Sequence, residues 1–177
     1  MNITINYANL NENELNEIKE KVRAIIISED QKLLIANYNG VLLLPGDSID
    51  NNETLEEALL RELKEELGIT YYDNEIENFF TLTFYQKNYP KRNGTTLNRK
   101  ITTHYYIAKF KNINYSNQVL TAKELESKFT LQLLSLSEIN EYLENTLPDN
   151  PRFYYFKEEM EIILNNLEKQ KNYILKK

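Results

Sequence analysis

Three glutamates crowd one short run, RELKEELG, at Glu62, Glu65 and Glu66. On a helix that advances about 100° per residue, Glu66 falls about 40° to one side of Glu62 and Glu65 about 60° to the other. The same projection spreads Leu55, Leu59, Leu60, Leu63 and Leu67 over one broad apolar arc. The carboxylates therefore lie beside or within the edge of the buried arc, not opposite it. Like charges one turn apart repel by a few tenths of a kcal/mol even on an open helix. Partly buried carboxylates also need a counter-charge or a proton. Lys64 points away, and Arg61, in the same turn, projects elsewhere. A hard divalent cation meets the need, because magnesium prefers carboxylate oxygens and keeps waters for substrate phosphates. The plainer use of the same residues is a charged, solvated helix face.

The helix that carries them is well specified. Thr54 and Glu57 have the spacing of a capping box, with Thr54 as N-cap, and Gly68 stands where a left-handed C-cap is expected. Upstream, VRAIIIS (Val22 to Ser28) and KLLIANY (Lys32 to Tyr38) flank the turn EDQ, which predicts a hairpin buried on both faces. VLLLPG is a third strand, stopped by Pro45-Gly46. Downstream come the strands Phe79 to Gln86 and Lys100 to Phe110, joined by a long basic loop, KNYPKRNGTTLNR. A strand from Phe129 to Leu136 and a helix from about Ser137 to Glu144 follow, and Pro148 and Pro151 then break the chain. A last amphipathic helix begins near Arg152, with Phe156, Met160, Ile163, Leu164 and Leu167 at helical spacing. Residues 11–20 form a short helix or an ordered lead-in. The order predicts an α/β (α+β) fold, a mixed sheet sandwiched by helices. A single domain is expected over 1–177, with 1–20 as N-terminal lead-in and 152–177 as a C-terminal helix and tail packed on it.

Composition removes several alternatives. The chain of 177 residues has no cysteine, so disulfides, thiol nucleophiles and cysteine-ligated metals are excluded. One histidine, His104, cannot build a histidine cage, and four glycines cannot assemble a P-loop or a dinucleotide fingerprint. A net charge of −6 argues against binding nucleic-acid backbone, although a cation can still bridge an acidic protein to phosphates. The N-terminus lacks a secretion pattern and no apolar run is long enough to span a bilayer, so a cytoplasmic protein with no membrane partner is expected.

In this setting Leu44 to Thr70 resembles the Nudix box, G-x5-E-x7-R-E-U-x-E-E-x-G-U, where U is aliphatic. Glu53 takes the first glutamate, Arg61-Glu62 the R-E, Leu63 the first U, Glu65-Glu66 the E-E, Gly68 the second glycine and Ile69 the last U. Asp47 replaces the first glycine, and aspartate is among the residues that best tolerate a left-handed backbone. The resemblance implies a Nudix-like (MutT-like) α/β/α sandwich. It also implies hydrolysis of a phosphoanhydride in a nucleoside diphosphate derivative: a nucleoside triphosphate, a dinucleoside polyphosphate or a nucleotide sugar. It implies Mg²⁺ or Mn²⁺ held by Glu62, Glu65, Glu66 and the Gly46 carbonyl, with Glu62 also a general base. Glu53 would bind a second metal or support the loop, and Arg61 would brace a box glutamate.

Outside the box, family members take a further catalytic glutamate from a loop before a late strand. Glu124 and Glu126 both stand in such a stretch, and Glu126 has the better spacing. Arg23, Tyr85 and Arg99 are candidate substrate-binding residues. Tyr85 lies near where dinucleoside-polyphosphate hydrolases of the family carry a tyrosine. Arg99 is the best placed of the basic group Lys91, Arg92, Arg99 and Lys100 because it borders a strand. His104 reads as a core or surface residue of a strand. No proline follows the box where ADP-ribose hydrolases show one, and there is no coenzyme A signature. The expected partner is a small nucleotide-type substrate, with the chain a monomer or homodimer. Within the class the reading leans to a nucleoside-triphosphate or dinucleoside-polyphosphate hydrolase. The rival is a nucleotide-binding or regulatory Nudix module without catalysis, although such modules usually lose box glutamates that this chain keeps.

Overall fold

A computed structural model describes residues 1–91, 93–146 and 152–169. Its elements run β1 (Asn2–Ile5), β2 (Glu17–Ile26), β3 (Leu33–Tyr38), β4 (Val41–Leu43), α1 (Leu55–Leu67), β5 (Ile76–Pro90), β6 (Thr96–Ala108), α2 (Ala122–Glu126), β7 (Phe129–Leu134), α3 (Leu136–Asn145) and α4 (Phe153–Lys169). The first sheet, β1-β5-β6-β2, is mixed, with β1 parallel to β5, β5 antiparallel to β6, and β6 parallel to β2. The second, β4-β3-β7, is antiparallel.

Alternation along the strands builds a helix layer on each side. Val22, Ala24 and Ile26 of β2 and Leu34 of β3 pack with Ala58, Leu59, Leu63 and Leu67 of α1. The residues between them, Ile25 of β2 with Leu33 and Ile35 of β3, join Ile139 and Leu143 of α3 and Met160, Ile163, Leu164 and Leu167 of α4. A two-residue period feeding two faces is what a buried strand between helix layers requires. Burying one such leucine contributes about 1.5–3 kcal/mol, so both layers are firmly held to the strands. The expected α/β/α sandwich with a central mixed sheet is the one observed.

Several local expectations change. The turn at Ser28–Lys32 forms, with the Ser28 amide donating to the Lys32 carbonyl at 2.8 Å, but the flanking strands pair only at an isolated bridge, Ile27 to Leu33. They then part into different sheets, because β3 has β4 and β7 as its own neighbours. The β2 edge is taken instead by the turn after β4, where the Val22 amide donates to the Asp47 carbonyl and the Ala24 amide to that of Pro45. The expected basic loop is mostly strand. β5 and β6 run on to Pro90 and Thr96, past a shift in register between Gln86 and Tyr89. The lead-in holds a short 3-10 turn at Glu12–Glu14, and β2 already begins at Glu17. β1 and α2 were not legible, being only four and five residues long. The breaks at Pro148 and Pro151, Arg92 and the tail beyond Lys169 lie outside the described residues. Among the described residues no helix is long and apolar enough to cross a membrane.

Candidate active site

Local sequence sets the position of α1. The Thr54 hydroxyl accepts from the Glu57 amide at 3.2 Å, and the Glu57 carboxylate accepts from the Thr54 amide at 2.8 Å, completing the capping box. Gly68 ends the helix at φ +67. A Cβ there would sit 2.1 Å from the Asn114 carbonyl oxygen, so the chain after β6 closes directly on the helix end.

Glu66 is fully buried, at 0 % exposure, and Glu62 is 7 % exposed. The Glu66 carboxylate accepts from the Tyr38 hydroxyl at 2.7 Å and from the Gly46 amide at 2.8 Å. Neither partner is a cation. Burial, with the nearby Glu62 charge adding to it, pushes Glu66 up to about 8 despite these two hydrogen bonds. Burial likewise pushes Glu62 up to about 7 against the pull of Arg61, with Asp47 and Glu65 contributing to the rise. Glu65 is the open member, its side chain 34 % exposed.

Arg61 does not project elsewhere. It curls back to the centre of the cluster, reach that its length permits and a Cβ projection hides. Its Nε and Nη2 take the two oxygens of Glu53 at 2.7 and 3.0 Å, a fork that ties the loop to the helix. Nη1 donates to Glu62 at 2.6 Å and to Glu65 at 3.3 Å, and Nη2 also reaches the Ser48 carbonyl at 3.2 Å. Glu53, Glu62 and Glu65 are thus gathered by one guanidinium, while Glu66 is set apart on the Tyr38 side.

The glycine turn lies one residue earlier than the box pattern suggests. Gly46 has φ +115, whereas Asp47 is not among the residues with positive φ. Asp47 therefore needs no left-handed tolerance, and its side chain does other work. It forms ion pairs with Lys21, at 2.5 Å, and with Lys123 of α2, at 3.5 Å. Burial opposes its charge, but Lys21 and Arg23 outweigh burial and hold the carboxyl well below the usual range.

Beside this cluster a cleft of about 350 Å³ opens over the sheet face of β2, β5 and β6. Seven cations and three carboxylates line it in a chain whose net charge is −6, so the cleft is locally basic. Arg23 lies in its floor, 3 % exposed, donating through Nη1 to the carbonyls of Leu44 and Gly46. Its Nε stands 3.5 Å from Glu159 of α4, which also accepts from the Tyr105 hydroxyl at 2.6 Å. Burial works against the Arg23 charge, but Glu159 offsets it and the guanidinium stays protonated. Arg99 also lines the cleft, buried at 8 % exposure.

The structure leaves other candidates elsewhere. Tyr85 lies on the opposite face of β5 from the cleft residues Phe84 and Gln86, and its hydroxyl donates to Glu12 at 2.8 Å. Glu126 is exposed at the end of α2, next to the cleft residue Ser127. Glu124 is used by its own helix, accepting from the amide and hydroxyl of Thr121. His104 Nε2 pairs with Glu20 at 2.7 Å, away from the cleft. Sequence reasoning missed Tyr38, Lys21, Lys123, Tyr89 and Glu159. Glu159 is the clearest case, since only the packing of α4 brings a carboxylate from so far along the chain to Arg23.

Among the described residues no three acidic or histidine side chains already form a metal cage. The donor set nevertheless fits a hard cation: two buried carboxylates above their usual pKa, a third half-exposed one, and a carbonyl at Gly46. That carbonyl accepts from Arg23 at 3.1 Å and has a second lone pair free in principle.

A family model described as NUDIX domain matches residues 18–155. The chain belongs to the Nudix family and is a Nudix-type pyrophosphohydrolase. No functionally curated protein matches it. Among solved structures it is similar to the NUDIX domain of Shewanella oneidensis NrtR complexed with ADP ribose, at 18% identity, TM-score 0.50, and 89% and 95% of the two chains covered. A bifunctional NMN adenylyltransferase/ADP ribose pyrophosphatase from Francisella tularensis matches at 21% identity and TM-score 0.50, over 83% of this chain and 40% of that one. A MutT from a study of the Aliivibrio salmonicida and Vibrio cholerae proteins matches at 20% identity and TM-score 0.45, over 70% and 83%. At these identities the two structures matched at TM-score 0.50 speak for the fold alone.

Proposed function

We propose that the chain acts as one domain and hydrolyses a phosphoanhydride in a nucleoside diphosphate derivative, with Mg²⁺ or Mn²⁺ held by Glu62, Glu65, Glu66 and the Gly46 carbonyl. Membership of the Nudix family supports such a cation. The observation that carries the reading is Glu66, a carboxylate at 0 % exposure whose partners are a hydroxyl and an amide, not a cation. A buried carboxylate in that state must hold a proton or await a positive charge. When bound, the cation would neutralise the diphosphate and lower the pKa of water.

The chain's own residues supply the remainder. Glu62, at the edge of the buried arc and oriented by Arg61, is the proposed acceptor of the proton from the attacking water. Arg61 keeps Glu62 oriented, and through Glu53 it fixes the loop to α1. Arg23 in the cleft floor and the basic wall around it attract and orient substrate phosphates. Glu126 remains the proposed assisting carboxylate, since Lys123 of α2 and Ser127 just after it both line the cleft.

The test is phosphate or nucleotide release over a panel of nucleoside triphosphates, dinucleoside polyphosphates, nucleotide sugars and ADP-ribose, with and without Mg²⁺. Glu65→Gln removes a half-exposed ligand without disturbing the core and is expected to lower kcat about 10²-fold or more on the best substrate, the scale of a lost transition-state contact. Wild-type turnover in that variant would dismiss the ligand set. Metal-independent binding without any release would favour a non-catalytic module.

A further inference from the structure

The two ends of the cleft differ in how their charges are satisfied. Its floor is a run of residues in register on β2 and β6: Arg23 opposite Tyr105, Lys21 opposite Thr103, Lys19 opposite Ile101, and Glu17 opposite Arg99. From the first of these rows to the last is about 20 Å of extended strand. A diphosphate held at the box cannot cover that length, so whatever reaches the far end belongs to the rest of the substrate.

At the near end each cation has a carboxylate within 3.5 Å, although the Arg23 Nε makes no hydrogen bond. Lys21 and Lys123 share Asp47, and Arg23 has Glu159. The far end is built otherwise. Arg99 is 8 % exposed, yet the partners it touches directly are neutral: Nε donates to the Gln86 amide oxygen at 2.5 Å, and Cζ lies 3.1 Å from the centre of the Tyr89 ring. The Glu17 carboxylate stands 3.9 Å from its Nη1, beyond hydrogen-bond reach, and is shared with Lys19 at 3.3 Å. Lys91 lines the same end, so three cations face one carboxylate there. Arg152 adds to the field, with its Cζ 5.6 Å from the centre of the same ring. Burial and the like charge of Arg152 hold Arg99 below its usual pKa, as expected for a cation short of counter-charge.

Burying a charge is costly unless it is paired. A guanidinium fixed by an amide and a ring, with its carboxylate out of reach, is a preformed receptor for an anion that comes with the ligand. The far end does not suit a base. Arg99 covers one face of Tyr89, and Tyr155 is tilted against the ring at 5.2 Å. The cleft volume of about 350 Å³ is at the small end for a ligand pocket, enough for one phosphorylated half of a substrate and not for two nucleosides.

The geometry points to a second anion subsite at Arg99, Lys91 and Lys19 that takes a phosphate carried by the substrate beyond the scissile diphosphate. The preferred substrates are then nucleoside diphosphate derivatives with an additional phosphate on their remote moiety, and neutral nucleotide sugars are poor ones. This rests on the proposed reaction at the box, but its test does not need turnover. ADP-ribose and ADP-ribose 1″-phosphate differ by one phosphate, carried on the terminal ribose remote from the same diphosphate, and their dissociation constants are compared by calorimetry in EDTA. The wild type is expected to bind the phosphorylated probe at least tenfold more tightly, a difference of about 1.4 kcal/mol. The ratio is expected to fall below about threefold in Arg99→Gln and in Lys91→Gln. Lys91 is exposed, so its variant reads the subsite even if loss of buried Arg99 unfolds the chain. Equal affinities in the wild type, no detectable binding of either probe, or an unchanged ratio in Lys91→Gln would overturn the subsite. If the ratio behaves as expected but neither probe nor any nucleotide is cleaved with Mg²⁺, the subsite stands and the hydrolytic reading falls.

Discussion

Replacing Gly46 with alanine probes the turn on which the acidic cluster depends. A Cβ at Gly46 would lie 2.3 Å from the Val22 carbonyl oxygen and 3.0 Å from the Arg23 Cα, both backbone atoms of β2 that cannot step aside. The residue also has φ +115, where an L side chain is strained by about 1–3 kcal/mol. Relieving the clash means lifting the turn from β2 and weakening the bonds from the Val22 amide to Asp47 and from the Ala24 amide to Pro45, each contributing about 0.5–1.5 kcal/mol. It also draws the Gly46 amide away from buried Glu66, and an unsatisfied buried group costs about 1–3 kcal/mol. The expected loss is about 3–9 kcal/mol, which at about 2–4 °C per kcal/mol lowers Tm by at least about 6 °C. Gly94→Ala is the control, since Gly94 has φ +81 but nothing within 4 Å of its Cβ position, so it carries the strain alone. Thermal unfolding of both variants in EDTA separates close approach from strain. If Gly46→Ala melts within about 2 °C of Gly94→Ala, the close packing of the turn on β2 does not hold the site and the reasoning fails.

Three further outcomes follow from the same geometry. In metal-free protein Glu62 and Glu66 titrate at about 7 and about 8, above their unfolded values, so the folded state binds the extra protons. Their contribution is full below about 4.5 and is lost as pH rises from there through 7 to 8; Tm in EDTA is expected to fall over that whole window and the fall to be abolished by Mn²⁺, and a flat Tm would contradict the burial argument. Asp47→Gly restores the box glycine but removes the carboxylate shared by Lys21 and Lys123; with no positive φ to relieve, it is expected to destabilise by about 1–3 kcal/mol in denaturant titration, and a stabilised variant would refute this. Arg61→Lys keeps the charge but loses the fork to Glu53 and the contact with Glu62, so kcat is expected to drop about tenfold or more while Tm falls by only a few degrees; unchanged kcat would remove Arg61 from the positioning of Glu62.

The sequence by itself determined the parts of this protein that depend on neighbours along the chain. The capping box at Thr54 and Glu57, the left-handed Gly68, the apolar arc of α1 and the carboxylates at its edge are all encoded within one helix, because a 3.6-residue period fixes which side chains share a face. The sandwich was legible for the same reason, since strands reading as continuous apolar runs must be covered on both sides. Tertiary structure decided what lay beyond that reach. It parted β2 from β3 into different sheets and gave the β2 edge to the turn at Pro45–Asp47, a competition between partners that no local pattern records. It turned Arg61 inward, sent Tyr85 to the opposite face through the two-residue alternation of β5, and brought Glu159 from α4 to Arg23. Side-chain reach and long-range pairing depend on where distant segments come to rest, and a charge such as Arg99 or Asp47 shows its use only when its neighbours in space are known.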